Sequence, residues 1–287
     1  MKPRSPARAI SSSDRGHGPY LWRFSPLERV LHLMVIVSFF GLVVTGLPLH
    51  FSHEPWAAFI IRFHGGVETA GVIHRVCALI TFTYFFIHIG SILRKLSGPD
   101  RGRMLWGPDS MIPQPKDLRD LLQMAKWFAG LGRPPQFDRF SYLEKFDYWA
   151  VFWGIAIIGG SGLLLWFPEL FARWLPGWIF NVATIVHGDE ALLALVFIFT
   201  IHFFNGQLRP EKFPLDLVIF TGRATKEYME DEHPLEVDRL QHTGLLEQRV
   251  APPPPHGLYV AAAIFGTGAI LIGLTIAGLV IWASFFK

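Results

Sequence analysis

Charged residues along the chain gather into stretches that separate five long apolar runs. The runs extend from about Val30 to Phe51, Ala70 to Leu93, Phe146 to Phe167, Trp178 to Asn205 and Leu258 to Phe285. Each reaches the roughly 20 apolar residues that a helix needs to cross a bilayer core, so the pattern predicts five transmembrane helices. Between Pro115 and Gly130 the period changes. Leu118, Leu121, Leu122, Ala125 and Phe128 recur at helical spacing among Lys116, Arg119 and Lys126, which predicts an interfacial amphipathic helix. Ala251 to Pro255, ending in four prolines, predicts an extended linker into the last run. The expected division is a polar segment at 1–29, a four-helix unit at 30–205 whose loop 94–145 carries the amphipathic helix, a polar segment and linker at 206–257, and the fifth helix at 258–287.

Composition supports lipid as part of the solvent. Hydrophobic residues make up 51% and charged residues 17%, whereas a soluble domain carries about 25% charged residues. The formal charge of +3 raises the question of nucleic acid, and the placement of the cations excludes it. Six Lys and Arg precede the first run, ten lie in 94–145 and six in 203–257, while the two other loops hold only Arg62 and Arg173. By the positive-inside rule this predicts a cytoplasmic N-terminus, cytoplasmic segments at 94–145 and 203–257, and a C-terminus on the outside. No secretory signal fits the polar start, so the first span is expected to serve as its own insertion signal. Cys77 is the only cysteine, which excludes c-type haem attachment, iron–sulfur clusters held by several thiolates and a four-cysteine zinc site.

Ionisable groups inside apolar spans are costly, and several of those here are histidines, while spans one and five hold no Asp, Glu, Lys or Arg. His32, His74, His88, His187 and His202 fall within predicted helices. One such residue is readily explained by a hydrogen bond to a neighbouring helix, and five are harder to dismiss. His74 and His88 are 14 residues apart, and His187 and His202 are 15 apart, so each pair shares one side of its helix. At 1.5 Å per residue, each pair is separated along the axis by roughly 21 to 22 Å. Both helices run in the same direction, so His74 lies level with His187 and His88 with His202. Opposed imidazoles at two depths suit bis-histidine ligation of two stacked b haems, with Gly41, Gly46, Gly71, Gly159, Gly160, Gly162 and Gly188 as candidate small neighbours. Zinc wants three or four ligands at one centre, and proton relays usually place carboxylates in mid-membrane. The acids here, Asp147, Asp189 and Glu190, lie near span ends. There is no internal repeat of the kind that marks transporters, and no Walker or dinucleotide glycine motif.

Several stretches carry a family resemblance: Glu28-Arg29-Val30-Leu31-His32, Thr45-Gly46-Leu47, Val72-Ile73-His74, Lys145 to Trp149, and His187 through His202 leading to Gly222-Arg223. Over about residues 22–240 the chain resembles the cytochrome b (gamma) subunit of membrane-bound formate dehydrogenases. That subunit sits within a wider di-haem cytochrome b family that includes the cytochrome b of nickel–iron hydrogenases. The resemblance implies an all-α membrane protein with a four-helix haem-binding bundle, to which this chain adds a fifth C-terminal helix. It implies two b haems, the outer held by His74 and His187 and the inner by His32 and His202. Spacing alone pairs His88 with His202. If His32 is the ligand, His88 becomes an imidazole beside the inner haem, suited to a quinone, a haem propionate or helix packing.

The resemblance places menaquinone or ubiquinone near Ser141, Glu144 and Lys145, with the plain alternative that these charges anchor a helix end. Arg75 is a candidate propionate partner, and Asp189 or Glu190 a candidate orienter of His187. It also implies a bacterial inner-membrane location and a periplasmic partner, either iron–sulfur and molybdoenzyme subunits or a multihaem c-type cytochrome. Span five would take the place of a partner's membrane helix or dock an outer-face partner. Rival readings are a stand-alone cytochrome b that serves a small oxidant and a haem-free transporter or scaffold.

Overall fold

The computed structural model describes residues 18–99 and 101–286. The basic stretch with Lys2, Arg4, Arg8 and Arg15 lies outside the described residues. The protein is mostly helical, and five helices are long and apolar enough to cross a bilayer: span one Pro26–His50, span two Val67–Leu96, span three Tyr142–Trp166, span four Trp178–Leu208 and span five His256–Phe285. This is the architecture of an all-α multi-pass membrane protein.

Local chemistry sets where the spans begin. Ser25 accepts from the Glu28 amide while Glu28 reaches back to the Ser25 amide, and Pro26 occupies the first turn of span one. Ser141 and Glu144 repeat that reciprocal cap at span three. Inside spans three and four the α-helix gives way to π-helical turns at Ile155–Gly159, Ile198–His202 and Phe204–Leu208.

Span five is docked along its own bundle. Ala262, Gly266, Ile270, Gly273, Ala277 and Val280 form a buried stripe, and with Ile276 it meets Val43 and Leu47 of span one, Phe51 just beyond its end, and Leu195, Phe199 and Phe203 of span four. A Cβ on Gly273 would stand 2.6 Å from Phe203 and 2.7 Å from Phe199, so only glycine admits this approach.

The polar segments gather at one end as a cap. Tyr20–Trp22 (β1) is the central strand of a three-stranded sheet, antiparallel to Arg223–Thr225 (β2) and to Val250–Ala251 (β3). The expected linker is thus extended, but its first residue is pinned as a strand. Gly222 turns the chain into β2 at φ +76°, where a Cβ would stand 2.7 Å from the Phe24 carbonyl. Arg23, buried, donates to Glu236 at 2.7 Å, to Glu144 at 3.3 Å and to the Arg139 carbonyl, and Arg139 donates to Glu236 at 2.9 Å. One buried carboxylate therefore ties the N-terminal segment to both other polar segments.

The amphipathic helix forms at Pro115–Phe128. Leu118, Leu121, Leu122 and Phe128 are exposed, while Asp120 is buried and Asp117 pairs with Lys145 of span three. Its apolar stripe points away from the protein.

Two outcomes follow. Gly273→Leu overpacks the Phe199–Phe203 contact and lowers stability in a detergent unfolding titration by about 1–3 kcal/mol. Gly278→Leu, where a Cβ meets nothing within 4 Å, stays within about 0.5 kcal/mol of wild type. The cap is also sensitive to acid. Burial and the adjacent Arg23 hold the His233 imidazole below its ordinary 6.5, despite Glu144, Glu236 and the Asp138 carbonyl. Below pH 6.5 the unfolded chain takes up a proton that the folded cap refuses. Stability present above that pH is lost as pH falls toward the folded value, by up to about 1.4 kcal/mol per unit. Amide exchange of β1 measured between pH 7.5 and 5 tests this, and His233→Gln flattens the slope; an unchanged slope would contradict it.

Candidate functional site

The chain begins span two at the end remote from the cap, and that places His74 and His187 far from the cap. Their ring centroids lie 6.2 Å apart. Neighbouring helices hold both rings with the same device. The Thr45 hydroxyl donates to the Gly41 carbonyl at 2.6 Å, so toward His74 Nδ1, 3.0 Å away, it can only accept. In span three the Ser161 hydroxyl donates to the Ile157 carbonyl at 2.7 Å. His187 Nδ1 donates to the Ile158 carbonyl at 2.9 Å and to Ser161 Oγ at 3.3 Å. Both rings thus carry their proton on Nδ1 and keep the Nε2 lone pair free.

Glycines complete the two cradles. A Cβ on Gly46 would stand 3.1 Å from the His74 ring and one on Gly162 3.0 Å from the His187 ring. The other expected glycines divide. Gly159 approaches Phe82, Gly188 approaches His50 and Gly41 approaches Cys77, while Gly71 and Gly160 meet nothing within 4 Å.

At the cap-side level, His202 Nδ1 donates to Asp147 Oδ2 at 2.9 Å, which again leaves Nε2 as the free nitrogen. His32 lines the same cavity as His202, and its ring stands edge-on to Phe220 with centroids 6.4 Å apart. His88 differs, because its Nε2 is hydrogen-bonded to the Tyr148 hydroxyl at 2.9 Å. The 15-residue spacing of His187 and His202 would leave them about 60° apart on an uninterrupted α-helix. The π turn at Ile198–His202 absorbs about one residue, making that spacing equivalent to the 14 residues between His74 and His88.

All five histidines line one cavity of about 2350 Å³ that extends from the Gly46 and Gly162 level to Arg23 and Arg139 of the cap. Single-ligand pockets are about 300–1,000 Å³, so this space holds more than one such molecule. Among the described residues no three His, Cys, Asp or Glu groups converge as metal ligands, and what the cavity offers is imidazoles in twos.

Other expected partners are committed elsewhere. Glu144 serves as cap for Ser141 and as partner of Arg23, and Lys145, buried, pairs with Asp117 at 2.8 Å. Neither Asp189 nor Glu190 orients His187; the Ile158 carbonyl and Ser161 do, and Glu190 accepts from Trp153 Nε1 at 3.2 Å. Arg75 lies over the Trp166 ring at 5.9 Å. Thr45, Ser161, Asp147 and Tyr148 were not among the residues that spacing singled out as partners. A signal was present: Thr45-Gly46-Leu47-Pro48-Leu49-His50-Phe51 is echoed by Ser161-Gly162-Leu163-Leu164-Leu165-Trp166-Phe167, and both His74 and His187 are followed by Ala and Leu at the fourth and fifth positions.

Neither a scan against protein-family models nor a search of curated proteins finds a match to this chain.

Proposed function

We propose that the protein is a di-haem b-type cytochrome of an electron-transfer complex, passing electrons between a redox partner at the far end and membrane quinone at the cap end. The observation that carries this reading is the set of three imidazoles with Nδ1–H fixed to an acceptor and Nε2 left for the cavity. Metal-ligating histidines have that arrangement: the second nitrogen donates to a carbonyl or carboxylate, which fixes the tautomer and strengthens the ligand. His74 and His187, with ring centroids 6.2 Å apart, are the two imidazoles that would hold a metal between them at this end of the cavity. The resemblance to formate dehydrogenase gamma subunits points the same way.

In this reading His74 and His187 would hold one haem, and His32 and His202 the other. Haem supplies one-electron redox chemistry when bound. The chain's own residues do the rest. Ser161, Thr45 and Asp147 set ligand orientation and basicity, with the Asp147 carboxylate favouring the more oxidised, more positive centre on its side. The apolar walls exclude water. Conversion of quinone to quinol takes up two electrons and two protons, and the reverse releases them. The polar, cationic end of the cavity gives the protons a path to the cap, which the positive-inside rule assigns to the cytoplasm. The far-end partner would be periplasmic, either iron–sulfur and molybdoenzyme subunits or a multihaem c-type cytochrome. Span five supplies from within the chain a helix beside spans one and four.

Purified full-length protein is expected to yield about two b haems per chain in a pyridine haemochrome assay; a haem-free, folded protein overturns the reading. His74→Ala and His187→Ala each remove one haem and leave the other. For the cap-side centre, His32→Ala removes the haem while His88→Ala retains it. Loss with His88→Ala and retention with His32→Ala would reverse that assignment.

A further inference from the structure

The groups that sequence reasoning offered to a quinone are largely spent on the fold, since Ser141 and Glu144 cap span three and Lys145 is paired with Asp117. One polar pair on the cavity wall takes no part in that cap. His88 of span two and Tyr148 of span three are joined at 2.9 Å, and both line the cavity. Aromatic rings surround them, with Phe152 6.1 Å from His88 and 5.1 Å from Tyr148 between centroids, and Trp149 beside both Tyr148 and Phe152.

A second, smaller hollow lies against the same stretch of span two. About 250 Å³ in volume, it is lined by Leu27, Ile87, Gly90, Ser91 and Arg94. Leu27, Ser91 and Arg94 line the main cavity too, so the hollow and the cavity share part of one wall. Leu27 and Ile87 are each 44% exposed on the surface that faces lipid. Gly90, two residues beyond His88, leaves the hollow unobstructed, since a Cβ there would meet nothing within 4 Å.

We propose that the hollow at Gly90, between the start of span one and the end of span two, is a lateral port through which membrane-dissolved quinone reaches the cavity, its headgroup bound by the His88–Tyr148 pair. This rests on the reading that the protein exchanges electrons with quinone, and it specifies where the quinone enters and what holds it. A long isoprenoid tail keeps such a molecule in the bilayer, so its route must open sideways to lipid. The port lies where span two turns polar, with Arg94 and Lys95 in its last turn, at the depth where a headgroup sits while its tail stays in hydrocarbon. A phenol and an imidazole can each donate or accept, so the pair can bind both a quinone carbonyl and a quinol hydroxyl. The neighbouring rings offer faces for stacking on the headgroup.

The test uses the full chain, loaded with haem, in lipid nanodiscs. Haem reduction by a long-tailed quinol is compared with reduction by dithionite, which needs no port. Gly90→Trp is expected to slow the quinol reaction by roughly tenfold or more while haem content and the dithionite reaction stay at wild-type values. Gly278→Trp, on the open side of span five, is expected to change neither. Tyr148→Phe raises the KM for quinol with the haem spectrum unaltered. A Gly90→Trp protein that reacts with quinol at the wild-type rate overturns the port. A fully haem-loaded wild type that neither accepts electrons from quinol nor delivers them to quinone overturns the quinone reading and the port with it.

Discussion

The site depends on a constraint on protons. An imidazole has two nitrogens, and one must be committed before the other is reliably free. Within a bilayer no water is at hand to satisfy either, so the commitment has to be built into the protein. Thr45 and Ser161 achieve it by donating their own hydroxyl protons to the preceding turn, at Gly41 and Ile157, and so becoming acceptors for His74 and His187. Asp147 achieves it for His202 because a carboxylate only accepts. His88 faces a Tyr148 hydroxyl that both donates and accepts, and its tautomer is not locked in the same way. That difference separates three candidate ligands from a residue suited to exchanging hydrogen bonds with a changing partner.

Helix geometry serves the same constraint. The π turn at Ile155–Gly159 takes in Ile158, whose carbonyl receives the His187 proton, and the one ending at His202 makes the His187–His202 spacing equivalent to that of His74 and His88. Gly46 and Gly162 let the rings stand against the neighbouring backbone. A bundle built around so large a cavity gives up much internal packing, and the packing is recovered at its margins. Span five adds a buried stripe against Phe199 and Phe203, and the cap closes the other end through Arg23, Arg139 and Glu236.

The spans were legible in the sequence because the bilayer enforces one signal, length of apolar run, and each observed helix lies within about four residues of its expected bounds. The level of His74 with His187 was legible too, because 1.5 Å per residue fixes depth along a helix. The π turns were not, since they arise from tertiary contacts and carry no periodicity of their own. Strands β1, β2 and β3 are two or three residues each, too short for alternation to register, and their partners lie some 200 residues apart in the chain. Glu144 and Lys145 show how type and location mislead together: a carboxylate and a cation at a membrane boundary suit proton uptake, yet the same spacing from Ser141 makes Glu144 a helix cap.

The most direct measurement is electron paramagnetic resonance of the oxidised, purified protein, together with near-infrared magnetic circular dichroism. If the protein holds two haems as proposed, the Nε2 atoms kept free by Thr45, Ser161 and Asp147, with His32 proposed as the fourth ligand, predict two low-spin ferric centres with imidazole ligands, and Asp147→Asn is expected to perturb only one of them. A high-spin centre, a ligand other than imidazole, or two centres that respond equally to Asp147→Asn would contradict it.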